Sequence, residues 1–67
     1  MELTFRVDGM TCNHCTAAVG QEVGAVPGVQ EVDADLDTKL VRVRGEEIDA
    51  PAVVAAIDEA GYEAVPA

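Results

Sequence analysis

The chain contains no tryptophan, one phenylalanine and one tyrosine, which excludes an interior organised around large rings. Its apolar half is mostly valine and alanine, so small and branched side chains must fill the core. A domain of 67 residues buries only roughly 60% of the surface its unfolded chain exposes. No length remains for a second domain, and residues 1–67 read as one. Cations are equally scarce: four Lys and Arg stand against thirteen Asp and Glu, for a formal charge of −9. That balance argues against nucleic acid or an anionic membrane as a partner. It leaves open a basic protein surface, a solubility role, or a high-salt cytoplasm in which dense carboxylates keep proteins dissolved. No apolar run approaches the ~20 residues that span a bilayer, so membrane insertion is not expected. Met1–Arg6 also lacks a basic segment followed by an apolar one, which predicts a chain that is not exported and works in the cytoplasm.

The residues that carry chemistry are gathered in one stretch. Gly9-Met10-Thr11-Cys12-Asn13-His14-Cys15 holds both cysteines, the only histidine and one of two methionines. Thiolate and thioether groups select soft ions such as Cu(I) and borderline ones such as Zn(II), which makes this stretch a candidate metal site. A disulfide across two intervening residues would close a very small loop and constrain the unfolded chain little. In a reducing cytosol, Cys12 and Cys15 are better read as working thiols.

Around that stretch the hydrophobic pattern changes period several times. Leu3, Phe5 and Val7 alternate with Thr4 and Arg6, which predicts a half-buried strand ending at Asp8-Gly9. From about Asn13, Cys15, Val19, Val23 and Val26 fall on one face of a helix, and Pro27-Gly28 is expected to stop it. Gly20 and Gly24 each cost that helix about 1 kcal/mol relative to Ala. Close packing or a docking surface would account for them, and simple tolerance is the alternative. Thr16, Ala17, Gly20 and Gln21 carry no charge in a strongly acidic chain and form a candidate contact face.

Val29–Leu36 predicts a second strand, with Val32, Ala34 and Leu36 inward and Glu31, Asp33 and Asp35 outward. Asp37-Thr38-Lys39 reads as a hairpin turn, and Leu40–Arg44 as a third strand with Val41 and Val43 inward. Arg42 and Arg44 are expected to pair with Asp33 and Asp35. Asp49 is placed as an N-cap with Pro51 in the first turn of a second helix. Its buried stripe would be Val53 or Val54, Ile57 and Ala60, with Asp58 and Glu59 in water and Gly61 just past its end. Tyr62–Val65 leaves room for a short closing strand. The order β-α-β-β-α-β predicts an α+β, ferredoxin-like sandwich: a four-stranded antiparallel sheet with two helices on one face.

At a strand-to-helix junction, Cys12 and Cys15 would sit by unpaired amides and the positive end of the helix dipole, which favour thiolates. Two thiolates suit Cu(I) in a near-linear site open to exchange. Structural zinc wants four ligands, and with Cys12, Cys15 and His14 one chain cannot supply a Cys₄ or Cys₂His₂ set. Thioredoxin-like redox exchange also uses Cys-x-x-Cys, although this chain is short for such a fold, and a purely structural pair is a third option.

The Gly-Met-Thr-Cys-x-x-Cys run, with Val19, Val23 and Pro27-Gly28-Val29 after it, resembles the signature of heavy-metal-associated domains, particularly bacterial-type copper chaperones. Ala56-Ile57-Asp58-Glu59-Ala60-Gly61-Tyr62 resembles that family's second helix and the loop beside its metal site. The resemblance covers nearly the whole chain. It implies that Cys12 and Cys15 are Cu(I) ligands and that Met10 is buried to pin the loop. It also implies that Tyr62 shields the metal, the alternative being a ring that merely covers the sheet edge. His14 would tune the thiolates or join the site in a copper-bridged dimer, with direct ligation in the monomer the lesser option. Thr11 stands where zinc-handling relatives often have Asp, which favours copper.

By resemblance, then, the expected function is a non-enzymatic cytosolic chaperone, monomeric without copper. It would deliver Cu(I) to the metal-binding domain of a P-type copper-transporting ATPase. An excised ATPase domain, a mercury-binding relative and a small thiol-disulfide oxidoreductase are the alternatives. Met1 just before the first strand and Ala67 just after the last favour a self-contained protein.

Overall fold

In the computed structural model, which describes residues Met1–Ala67, alternating Leu3, Phe5 and Val7 build the strand that carries the cysteine loop. This strand, β1 (Glu2–Arg6), lies inside a four-stranded sheet with β2 (Val29–Asp35), β3 (Leu40–Gly45) and β4 (Val65–Pro66). The spatial order is β2-β3-β1-β4, and every neighbouring pair is antiparallel. Two helices, α1 (Asn13–Gly24) and α2 (Ala50–Glu59), fill the gaps in the expected βαββαβ order.

Strand register explains how so thin a core closes. Val43 lies opposite Leu3 on one side and Val32 on the other, and Val41 lies likewise between Phe5 and Ala34. These rows meet Val19 and Val23 of α1 and Val53, Ala56 and Ile57 of α2 in a single apolar cluster. Both helices therefore cover one face, and Arg42, Arg44, Asp33 and Asp35 are left on the exposed face. No charged or polar residue is buried.

Four local expectations need correction. Helix α1 ends at Gly24, three residues before Pro27, because a residue that precedes proline is disfavoured in the helical region. Val26 still joins the core, but from the turn that follows the helix. Arg44 pairs with Glu2 at 2.9 Å and Glu31 at 3.6 Å, since the register sets it between those two residues. Arg42 lies opposite Asp33 without an ion pair, and such exposed pairs contribute little in any case. Asp49 occupies the N-cap of α2, yet its side chain makes no capping hydrogen bond. Strand β4 begins at Val65 instead of Tyr62, because the Tyr62 amide is already engaged with the end of α2.

Glycines mark where backbones touch. A Cβ on Gly45 would stand 1.9 Å from the Gly28 carbonyl oxygen, at the irregularity where β2 shifts register between Val29 and Glu31. Gly28 itself has φ +90, and its carbonyl accepts from the Glu46 amide at 2.9 Å. By contrast, a Cβ on Gly20 or Gly24 would meet nothing within 4 Å, so close packing does not account for either. The same substitution should thus have opposite signs at two sites. Gly45→Ala is expected to destabilise by about 2–4 kcal/mol, and Gly20→Ala to stabilise by roughly 0.5–1 kcal/mol. Urea unfolding followed by circular dichroism checks both.

Candidate metal centre

The site is built on the N-terminus of α1. Cys12 is its N-cap residue, with extended backbone (φ −154, ψ 172), and Cys15 lies three positions on, within the first turn. N-cap and N3 side chains are the pair that address the unsatisfied amides of a helix start. Two cysteines at this spacing therefore converge, and their Sγ atoms lie 3.3 Å apart as free thiols. The Cys12 carbonyl accepts from the amides of Cys15 at 3.1 Å and Thr16 at 3.3 Å, which closes the first turn. No acidic side chain occupies that turn to oppose a thiolate.

Exposure differs between the two sulfurs. Cys12 is exposed, whereas Cys15 is half-buried and packs against the core cluster. The Cys15 thiol is lowered from 9.0 to about 6, first by the Tyr62 hydroxyl, then by the Thr11 backbone and the Cys12 side chain, against a smaller opposing effect of burial. The Tyr62 phenol is correspondingly pushed up. Of these side-chain contacts, Cys12–Cys15 is a formed hydrogen bond and Tyr62–Cys15 is not, so Tyr62 acts as a nearby donor not fully engaged.

Tyr62 reaches the site through the far end of α2. Gly61 adopts φ +93 and donates its amide to Asp58 O at 2.9 Å, while the Tyr62 amide donates to Ile57 O at 3.1 Å. These two bonds form a Schellman cap, which turns the chain back toward β1. The ring then lies against Gly9, where an added Cβ would meet its Cδ1 at 3.1 Å. A cleft of about 300 Å³ opens beside it, lined by Asp8, Gly9, Gly61, Tyr62, Glu63 and Val65.

Met10 is fully buried in the core, while Thr11, Asn13 and His14 are exposed. His14 is not grouped with the cysteines, and nowhere do three or more His, Cys, Asp or Glu side chains converge as a metal cage. The arrangement offers two thiols and no more, a donor set suited to a soft ion at low coordination number. One residue had no signal in the sequence: Lys39, from the β2–β3 turn, donates its Nζ to the Met10 carbonyl.

The model of the heavy-metal-associated domain matches residues 4–63. The chain belongs to that family. Over 66 residues it is 38% identical to the copper chaperone CopZ of Enterococcus hirae, covering 96% of each. Over 67 residues it is 39% identical to a probable copper-exporting P-type ATPase of Archaeoglobus fulgidus, covering 97% of this chain and 8% of the ATPase. Among solved structures, a CopZ metallochaperone superposes with a TM-score of 0.92 at 28% identity, over 97% of this chain and all of that one. The heavy-metal-associated fold of the present chain is therefore the ferredoxin-like one that its periodicity predicts.

The thiol chemistry gives a pH signature. With Cys15 lowered to about 6, its thiolate predominates at pH 7, and protons reclaim it as pH falls through that value. Alkylation of Cys15 by iodoacetamide, quantified by peptide mass spectrometry, should show its midpoint there. Tyr62→Phe removes the largest lowering contribution and is expected to move the midpoint upward toward the ordinary thiol value.

Proposed function

We propose that this domain is a cytoplasmic copper chaperone that holds Cu(I) between Cys12 and Cys15. It passes the ion to the metal-binding domain of a P-type copper-transporting ATPase. The observation that carries this reading is the pair of free thiols 3.3 Å apart, one exposed, at a helix N-terminus with no third ligand gathered around them. Such a site binds through charge and softness but leaves one side of the ion accessible. An incoming thiolate can then bond to copper before either resident thiolate leaves, so transfer proceeds by ligand exchange without free ion. The domain acts as a carrier and not as an enzyme.

Similarity to both a chaperone and an ATPase segment supports the acceptor assignment, since donor and acceptor would present matching thiol pairs on one fold. Thr11 ahead of Cys12 supplies no carboxylate oxygen, which favours Cu(I) over a divalent ion. In this role Met10 holds the loop from beneath, His14 and Tyr62 modulate access and thiolate character, and the apo chain is a monomer. No helix is long and apolar enough to cross a membrane, in keeping with a mobile carrier.

Anaerobic Cu(I) titration against a competing chelator, run beside Zn(II), tests the assignment. One Cu(I) per chain is expected, with affinity reduced by Cys12→Ser at least about a hundredfold, the upper end of what losing a mere outer-shell partner costs, because here a ligand itself is lost. Binding that survives the serine substitution, or zinc held as tightly, would overturn it. A stoichiometry of one copper per two chains would identify a copper-bridged dimer, and metal-free turnover of a disulfide substrate would point instead to thiol exchange.

A further inference from the structure

Between Asp8 and the helix start at Cys12, the loop is fastened at one residue. Neither Gly9 nor Thr11 makes a backbone-to-backbone hydrogen bond. Met10 has three attachments: its side chain in the core, its amide donating to Val7 O at 3.3 Å, and its carbonyl accepting from Lys39 Nζ. The third reaches across 29 residues from the turn between β2 and β3.

Lys39 is placed for this contact at a cost. Its φ is +63, the left-handed region where glycine or asparagine sits more easily than a long side chain. Its own carbonyl accepts from the Val7 amide at 2.8 Å, so the backbone of the turn is tied to the same segment that Met10 bonds. Lys39 is also the only lysine in a chain of charge −9, yet its ammonium meets a main-chain oxygen, and none of the three ion pairs includes it. A hydrogen bond from a charged donor is among the stronger ones, and removing that donor leaves the partly buried carbonyl unpaired.

We propose that Lys39 is a positioning residue for the metal loop: through the Met10 carbonyl it fixes the chain two residues before Cys12 and so holds the exposed thiol in register with Cys15. Its consequence for copper rests on the reading of those cysteines as Cu(I) ligands; its consequence for the loop does not. A loosened loop separates the sulfurs more often, and each separation is an opportunity for copper to leave before an acceptor has bonded to it.

Lys39→Met keeps the unbranched stem and the left-handed backbone while removing the donor, and Lys39→Arg restores a cationic donor. Two readouts are needed on the full chain: amide hydrogen exchange at Met10, whose amide is bonded to Val7 O, against core amides of Val19 and Val41, and the rate of Cu(I) release to a chelator. Lys39→Met is expected to speed both loop exchange and copper release roughly five- to tenfold, the scale of one such bond, with core exchange unchanged. Lys39→Arg should return both to within about twofold of the parent. Equal loop exchange in Lys39→Met and parent would overturn the proposal, as would core amides that accelerate as much as the loop, or failure of Arg to restore. If the parent chain holds no Cu(I), the chaperone reading falls, and loop exchange alone still decides whether Lys39 positions Cys12.

Discussion

Burial of Met10 is the constraint on which the site depends. It is the largest fully buried side chain, and it sits between an exposed glycine and an exposed threonine in a loop without regular structure. Burying a side chain of this size contributes about 1.5–3 kcal/mol, enough to hold a short loop against the entropy of its few free residues. Without that anchor, Cys12 would be held only from the helix side, by the bonds its carbonyl accepts from Cys15 and Thr16. With it, an exposed thiol acquires a fixed address while the sulfur itself stays in water.

The two thiols are held by different parts of the molecule. Cys15 belongs to α1 and packs on the core, and its thiolate is favoured first by Tyr62 from beyond the end of α2 and then by Thr11 and Cys12 of the loop. Cys12 stands at the junction: its carbonyl closes the first turn of α1, and the chain that leads into it is held by Met10. A metal carrier needs both qualities: one ligand that stays and one that can be approached. In the proposed role the half-buried Cys15 is the retained ligand, and the exposed Cys12 is the side from which an acceptor enters.

Much of this was legible because it is local. Two-residue alternation in Leu3–Val7 and Val41–Val43, and four-residue spacing of Cys15, Val19 and Val23, specify by themselves which faces turn inward. Gly61 could be placed past α2 because only a left-handed residue closes such a helix end, and its φ of +93 agrees. Register was not legible in the same way: the hairpin pairing that starts at Asp35 and Leu40 sets Arg44 opposite Glu31, the β1–β3 pairing sets it opposite Glu2, and no side-chain pattern announces either. Nor was Lys39, since a lysine in a polar turn looks like any solvated cation until the fold sets Met10 beneath it.

In the proposed role, the distribution of charge bears on how transfer can be fast. A like-for-like exchange between two dithiolate sites on one fold is nearly balanced in bond energy, so thiol chemistry alone sets no direction. Here α1 carries no acidic residue in its first turn and no basic one in its last, and the thiol end gains its electrostatics from helix amides and Tyr62. The carboxylates lie elsewhere on the surface, with Asp8 and Glu63 nearest in the cleft beside Tyr62, giving a net −9 that acts at a distance while the first turn of α1 stays free of acidic side chains. Long-range attraction to a basic acceptor would thus govern encounter and weaken with salt, whereas local contacts at the neutral turn would govern exchange. Separating the two lets a weakly held complex form quickly and dissolve once copper has moved, which a strongly charged contact at the thiols themselves would hinder.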